Sequence, residues 1–122
     1  MVDQYHTYKI DRWRHQLRLR AEASRTLVIP GARLNPVVWL DEAALIWATP
    51  FVEGRHGTDP EVVGLAKGLD ASGLGFIADV NPKNVIADER FGGLVVIDFQ
   101  VYERGYVAFK SVMMNAPPKM YG

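Results

Sequence analysis

The side chains best suited to chemistry in this sequence lie close together in the chain. Phe76-Ile-Ala-Asp-Val-Asn-Pro-Lys-Asn-Val-Ile86 is followed by Val95-Val-Ile-Asp-Phe99, and a hairpin running out along Val85 and back to Ile97 would bring Asp79, Asn84 and Asp98 to one point. Two carboxylates and one amide oxygen are a hard-oxygen set suited to Mg2+, which takes one or two protein carboxylates and completes its shell with water and phosphate oxygens. The competing reading is an ordinary loop, with Asp79 capping backbone N–H groups and Asn84 satisfying a turn. Asp98 fits that reading less well, because a carboxylate in an apolar run is costly unless it is paired or metal-bound. Arg90 and Arg104 are the cations the sequence offers as its partners. Other chemistries lack their residues. The chain has no cysteine, which removes disulfides and thiolate zinc sites. His15 reads as a solvated side chain and His56 as a loop histidine, with a phosphate contact as its alternative, and neither a His-x-x-x-His spacing nor a Ser–His–Asp set is identifiable.

The elements that must position these residues follow from periodicity and turn signals. Ile10, Trp13, Leu17 and either Arg20 or Ala21 recur at helical spacing, which predicts an amphipathic helix over 11–24 with its arginines mainly on the far face. A short strand over 26–30 closes on Pro30-Gly31. Strands over 37–40 and 43–47 then form a hairpin, which Pro50 ends. Thr58-Asp-Pro-Glu61 is a helix-start signal for a helix over 60–71 that buries Val62, Val63, Leu65, Ala66 and Leu69 and stops at Ser72-Gly73. The last third reads as β: strands over 76–77, 84–86, 94–99 and 106–112, with turns over 88–93 and 103–105. The expected fold class is therefore α+β, a small, mostly antiparallel sheet with two main helices.

Composition bounds the rest. A chain of 122 residues with 48% apolar and 11% aromatic side chains suits one domain over 1–122, with a loose tail over 116–122. Trp13, Trp39 and Trp47 are expected in its core. Fourteen basic residues balance 14 acidic ones, which argues against a nucleic-acid partner. The first 25 residues nonetheless carry about +3, so the Arg-rich N-terminal helix, or the Pro-Pro tail, is the expected surface for a protein partner or a second copy. No leader or membrane-length apolar run is present, so the expectation is a soluble, cytoplasmic protein without membrane contact.

Asp79-Val-Asn-Pro-Lys-Asn84-Val-Ile resembles the catalytic loop of protein-kinase-like phosphotransferases, in which an Asp is followed five residues later by an Asn, with a Pro between and two aliphatic residues after. Ile97-Asp98-Phe99 resembles the metal-binding motif that follows after a short hairpin. Trp47-Ala-Thr-Pro-Phe-Val-Glu-Gly54 resembles the hinge between the two lobes, and the helix after it takes the place of the one leading to the catalytic loop. The nearest resemblance is to small kinase-like domains of phage and mobile-element polyvalent proteins. It implies a truncated kinase-like fold with small-lobe elements over 11–46, a hinge-like connector over 47–57 and the catalytic-loop part over 58–115. It further implies Mg2+ and ATP as cofactors. Asp79 would orient or deprotonate an acceptor hydroxyl, and Asn84 and Asp98 would hold the metal. The backbone from Thr49 to Val52 would meet adenine, beside Trp47 and Phe51. Glu22 would partner a nucleotide-binding lysine, for which Lys9 is the one upstream candidate. The chain departs from the family pattern at Ile77, where a His is usual, and at Gln100, where a Gly is usual. It also lacks a glycine-rich phosphate loop and a helical large lobe. The alternative expectation is therefore a catalytically inactive remnant of that fold, kept as a binding or structural module.

Overall fold

A computed structural model describes the backbone of residues 4–115 and the side chains of 9–113; the expected tail over 116–122 lies outside them. The chain is α+β. Its elements run α1 (Gln4–Thr26), β1 (Ala32–Leu34), β2 (Trp39–Asp41), β3 (Ile46–Ala48), β4 (Gly54–His56), α2 (Asp59–Ala71), β5 (Ile77–Ala78), β6 (Val85–Asp88), β7 (Leu94–Val96), β8 (Gln100–Val101) and α3 (Glu103–Asn115). The main sheet has the order β1-β7-β6-β4. Its β4–β6 and β6–β7 pairs are antiparallel, whereas β1 runs parallel to β7 with Arg33 opposite Val95. Two smaller antiparallel ladders stand beside it, β2–β3 and β5–β8. Among the described residues, no helix is long and apolar enough to cross a membrane.

α2 begins as its sequence requires. Thr58 caps it and its Oγ1 accepts from the Glu61 backbone N–H, while the Glu61 carboxylate accepts from the Thr58 N–H at 2.9 Å, a reciprocal capping box with Pro60 in the first turn. Arg55 of β4 grips the same carboxylate with both terminal nitrogens, at 2.6 and 3.0 Å. The Arg55 contact, then the Thr58 backbone and hydroxyl, hold the Glu61 carboxyl down at about 2. A carboxyl depressed in the folded state stabilises the fold above its unfolded value of about 4.3, and that contribution is lost as the pH falls toward 2. The melting temperature of Glu61→Gln should therefore lie below that of the unsubstituted protein at pH 6 and converge with it near pH 2. Thr58→Ala should cost about 1 kcal/mol in urea denaturation, the usual worth of an N-cap hydroxyl.

One core joins the three α-helices and the strands between them. Leu19 and Ala23 of α1, Val62, Leu65 and Leu69 of α2, Val85 and Val96 of the sheet, and Phe76, Phe99, Val101 and Tyr106 pack into it. Each such aliphatic or aromatic side chain contributes roughly 1.5–3 kcal/mol by leaving water.

Several expectations are corrected. Residues 106–112 are not a strand but the middle of α3, so the described residues form three α-helices rather than two, and in α2 Val63 is exposed rather than buried. Tyr106 is buried and Phe109 and Lys110 are half-buried, a three-to-four-residue spacing, while the β-branched Val107 and Val112 face solvent. Gly105 is not a turn: a Cβ there would come within 2.7 Å of Phe76 Cβ, so the glycine lets α3 pack against β5's approach. α1 continues to Thr26, which pushes the first strand from 26–30 to Ala32–Leu34, and the strand over 94–99 ends at Val96. The β2–β3 hairpin forms as expected, with Leu40 opposite Trp47. Trp39 is exposed and Trp13 and Trp47 are half-buried, so the tryptophans edge the core rather than fill it.

Candidate functional site

Two ladders converge on residues 97–99. In the β5–β8 ladder, Ile77 faces Val101 and Ala78 faces Gln100, so Asp79 leaves its strand where Phe99 enters the facing one. In the β6–β7 ladder, Val85 faces Val96, and the pairing extends by one bond beyond it, from the Ile97 N–H to the Asn84 carbonyl at 2.8 Å. The backbone thus places Asp79, Asn84 and Asp98 next to the ends of these two ladders.

The loop between them is held from inside. Asp79 has φ 62°, a left-handed conformation that costs a non-glycine residue roughly 1 kcal/mol or more. Two amides fix it there: Asn84 Nδ2 donates to the Asp79 carbonyl at 2.9 Å and Asn81 Nδ2 donates to the same oxygen at 3.3 Å. Asn81 Oδ1 accepts from the Lys83 N–H and caps a single 3-10 turn, Pro82–Asn84. From β4, His56 Nδ1 lies 2.9 Å from the Pro82 carbonyl; as the oxygen can only accept, that nitrogen carries the proton. The Asp79 carboxylate itself is exposed and, among the described residues, meets no hydrogen-bond partner. Asn84 is used through its NH2, which leaves its Oδ1 as the free acceptor.

Asp98 is arranged differently. Its Oδ1 lies 2.5 Å from Arg20 Nη2 of α1, and it is Arg20, not Arg90 or Arg104, that pairs with it. The Arg20 guanidinium carbon lies 5.8, 5.6 and 5.5 Å from the ring centres of Trp13, Trp47 and Phe99, and the two tryptophans meet edge to face at 5.7 Å. One turn earlier, Gln16 accepts from the Val101 N–H at 2.7 Å and donates to the Val101 carbonyl at 3.0 Å. Residues 16 and 20 share a helix face, so α1 grips the segment after β7 at two points. Arg20 is therefore an exception to the expected far-face arginines. Glu22 pairs with Lys110 of α3 at 3.1 Å rather than with Lys9.

The hinge-like residues divide between two places. Thr49 is exposed, Val52 is half-buried, and Phe51, 87% exposed, lines a cleft of about 570 Å3 with Arg33, Pro50, Asp88, Arg90 and Phe91. Trp47 instead stands against Trp13 and Arg20, so it and Phe51 do not shape a common slot. Asn35, at the end of β1, donates from its side chain to the Pro50 carbonyl at 2.9 Å and from its backbone N–H to Val96 at 2.9 Å, which ties the connector to the sheet. At the cleft floor, the backbone N–H groups of Arg90 and Phe91 and the Arg33 guanidinium hold the Asp88 carboxyl below the usual carboxylate range.

The Asp79 carboxylate, the Asn84 amide oxygen and the second oxygen of Asp98 are donors of the hard-oxygen kind that suits Mg2+ with phosphate oxygens. Among the described residues, no three His, Asp or Glu side chains group to hold a metal, so an ion here depends on the Asn84 amide. Sequence reading missed Gln16, Arg20, Asn35 and His56 as positioning residues. For the first two a signal existed, a polar side chain at helical spacing within or beside an apolar stripe; for the others none did. No family model, curated protein or solved structure matches this chain.

Proposed function

We propose that this chain is a minimal kinase-like domain that binds Mg-nucleotide and presents Asp79 to a phosphoryl acceptor. The observation that carries this reading is the left-handed Asp79, held by the side chain of Asn84 five residues on, at the place where the hairpin returns Asp98. Non-glycine residues held in sparsely populated backbone conformations cluster at active sites and ligand clamps. Asp79 accepts the hydrogen bond of an acceptor hydroxyl and, as transfer proceeds, its proton. Asn84 Oδ1 and Asp98 hold Mg2+, which when bound neutralises charge on the phosphate oxygens. The chain's own contribution is mostly positioning, which is what phosphoryl transfer needs. The Thr49–Val52 backbone meets the base, with Phe51 beside it. The test is thermal: millimolar Mg-ATP should raise the melting temperature by several degrees, and Asp98→Ala should abolish the shift measured against its own unliganded melt. Absence of any shift in the unsubstituted protein overturns the reading.

The second reading, an inactive remnant serving as a protein-binding module or homo-oligomer, is favoured by one observation, the engagement of Asp98 by Arg20. It predicts a complex, by co-purification or light scattering, that persists in Asp79→Ala. The Arg-rich face of α1 is partly spent within the chain: Arg18 binds both Glu42 carboxylate oxygens, at 2.7 and 2.8 Å, and Arg14 reaches the Glu42 carbonyl at 3.0 Å.

A further inference from the structure

Arg20 is a cation in a place where cations are rarely left. Its side chain is 6% exposed, three aromatic rings surround the guanidinium, its Nε is buried without a hydrogen-bond partner among the described residues, and the carboxylate it meets among them is Asp98. Cation–π attraction and one ion pair offset its desolvation, but an apolar side chain of similar volume fills such a box at no electrostatic cost. Packing therefore does not account for an arginine here. Its charge does have a consequence: arginine stays protonated at any pH a protein meets, so Asp98 has a permanent positive neighbour. The grip of Gln16 on Val101, one helical turn away, keeps that neighbour in register with the carboxylate.

We infer that Arg20 is an internal counter-cation that occupies Asp98 in the resting protein and makes divalent-cation binding there depend on a polyanionic ligand arriving with the metal. The inference rests on the proposed reading of Asp98 as a metal ligand and deepens it. A bare divalent cation at Asp98 meets the repulsion of the guanidinium, which water on the exposed Asp98 side screens only in part. Phosphate oxygens supply the negative charge that lets the carboxylate serve both cations at once. Arg20 is thus a positioning residue with a selective effect: it disfavours the metal alone and leaves the metal-polyphosphate complex.

The experiment measures binding of Mn2+, as a stand-in for Mg2+, by the loss of free-ion paramagnetic resonance signal without nucleotide. Arg20→Met, whose thioether suits a box of aromatic rings, and Arg20→Gln, which keeps a hydrogen-bond donor without the charge, should both bind Mn2+ at least about tenfold more tightly than the unsubstituted protein. Arg20→Lys should remain close to the unsubstituted value. A folded neutral variant with unchanged Mn2+ affinity overturns the inference, and so does failure of both neutral variants to fold, since that would make the role of Arg20 structural. Failure of the functional reading is separable: tighter Mn2+ binding in the neutral variants with no Mg-ATP shift in the unsubstituted protein refutes nucleotide binding and leaves the counter-cation in place.

Discussion

Replacing Asp98 by alanine should cost about 2 kcal/mol of folding stability even though the residue is 60% exposed. An exposed carboxylate ordinarily contributes little. Here its removal strands the Arg20 guanidinium, 6% exposed, among Trp13, Trp47 and Phe99. Loss of one partner of a fully buried pair costs about 3–5 kcal/mol; water reaching the Asp98 side lowers that figure. The reverse replacement is not symmetrical. Arg20→Met leaves Asp98 free to face solvent and fills the box, so its stability should fall within about 1 kcal/mol of the starting protein. The double variant should be more stable than Asp98→Ala alone, a coupling that a double-mutant cycle in urea measures directly. Equal costs for the two single replacements would show that water already solvates the guanidinium.

Gly54→Ala should be more damaging still, by about 3 kcal/mol or more. Gly54 faces Asp88 in the β4–β6 pairing, and a Cβ placed on it would lie 1.8 Å from the Ala87 carbonyl oxygen. The obstacle is backbone in the middle of the sheet, so no rotamer relieves it and β4 must part from β6. With β4 goes the His56 contact to the Pro82 carbonyl. Hydrogen exchange should show the Gly57 N–H, which bonds the Val85 carbonyl, losing protection together with the amides of the β4–β6 ladder. Retained protection in that ladder would mean the strand tolerates the methyl.

The β6–β7 hairpin was readable because local signals agree: two short apolar runs, a turn with paired glycines, and an Asn-Pro capping the loop before it. The start of α2 was readable for the same reason, since a capping box is written within four residues. α3 was not. Tyr106, Val107, Val112 and the nearby Gly105 carry the composition of a strand after a turn, and what overrides it is the burial of Tyr106 against Phe76, visible only once the two meet at 5.4 Å. Arg20 was hidden differently. Its helical spacing with Trp13 and Leu17 set it beside the apolar stripe, but nothing local names Asp98, far along the chain, as its partner. The parallel pairing of β1 with β7 has no local signature at all, and with it went the link through Asn35 to Pro50.

Those same long reaches bear on how the molecule is made. α1 is bound to the last third of the chain at Arg20–Asp98, Gln16–Val101 and Glu22–Lys110, and β1 finds its strand partner only in β7. Each of these closures spends loop entropy before any contact rewards it, so folding should be slow for so short a chain. A nascent chain that has not yet presented residues 94–101 leaves Ala32 and Leu34 without their strand and Arg20 without its acid. α1 is thus made well before the segments that hold it.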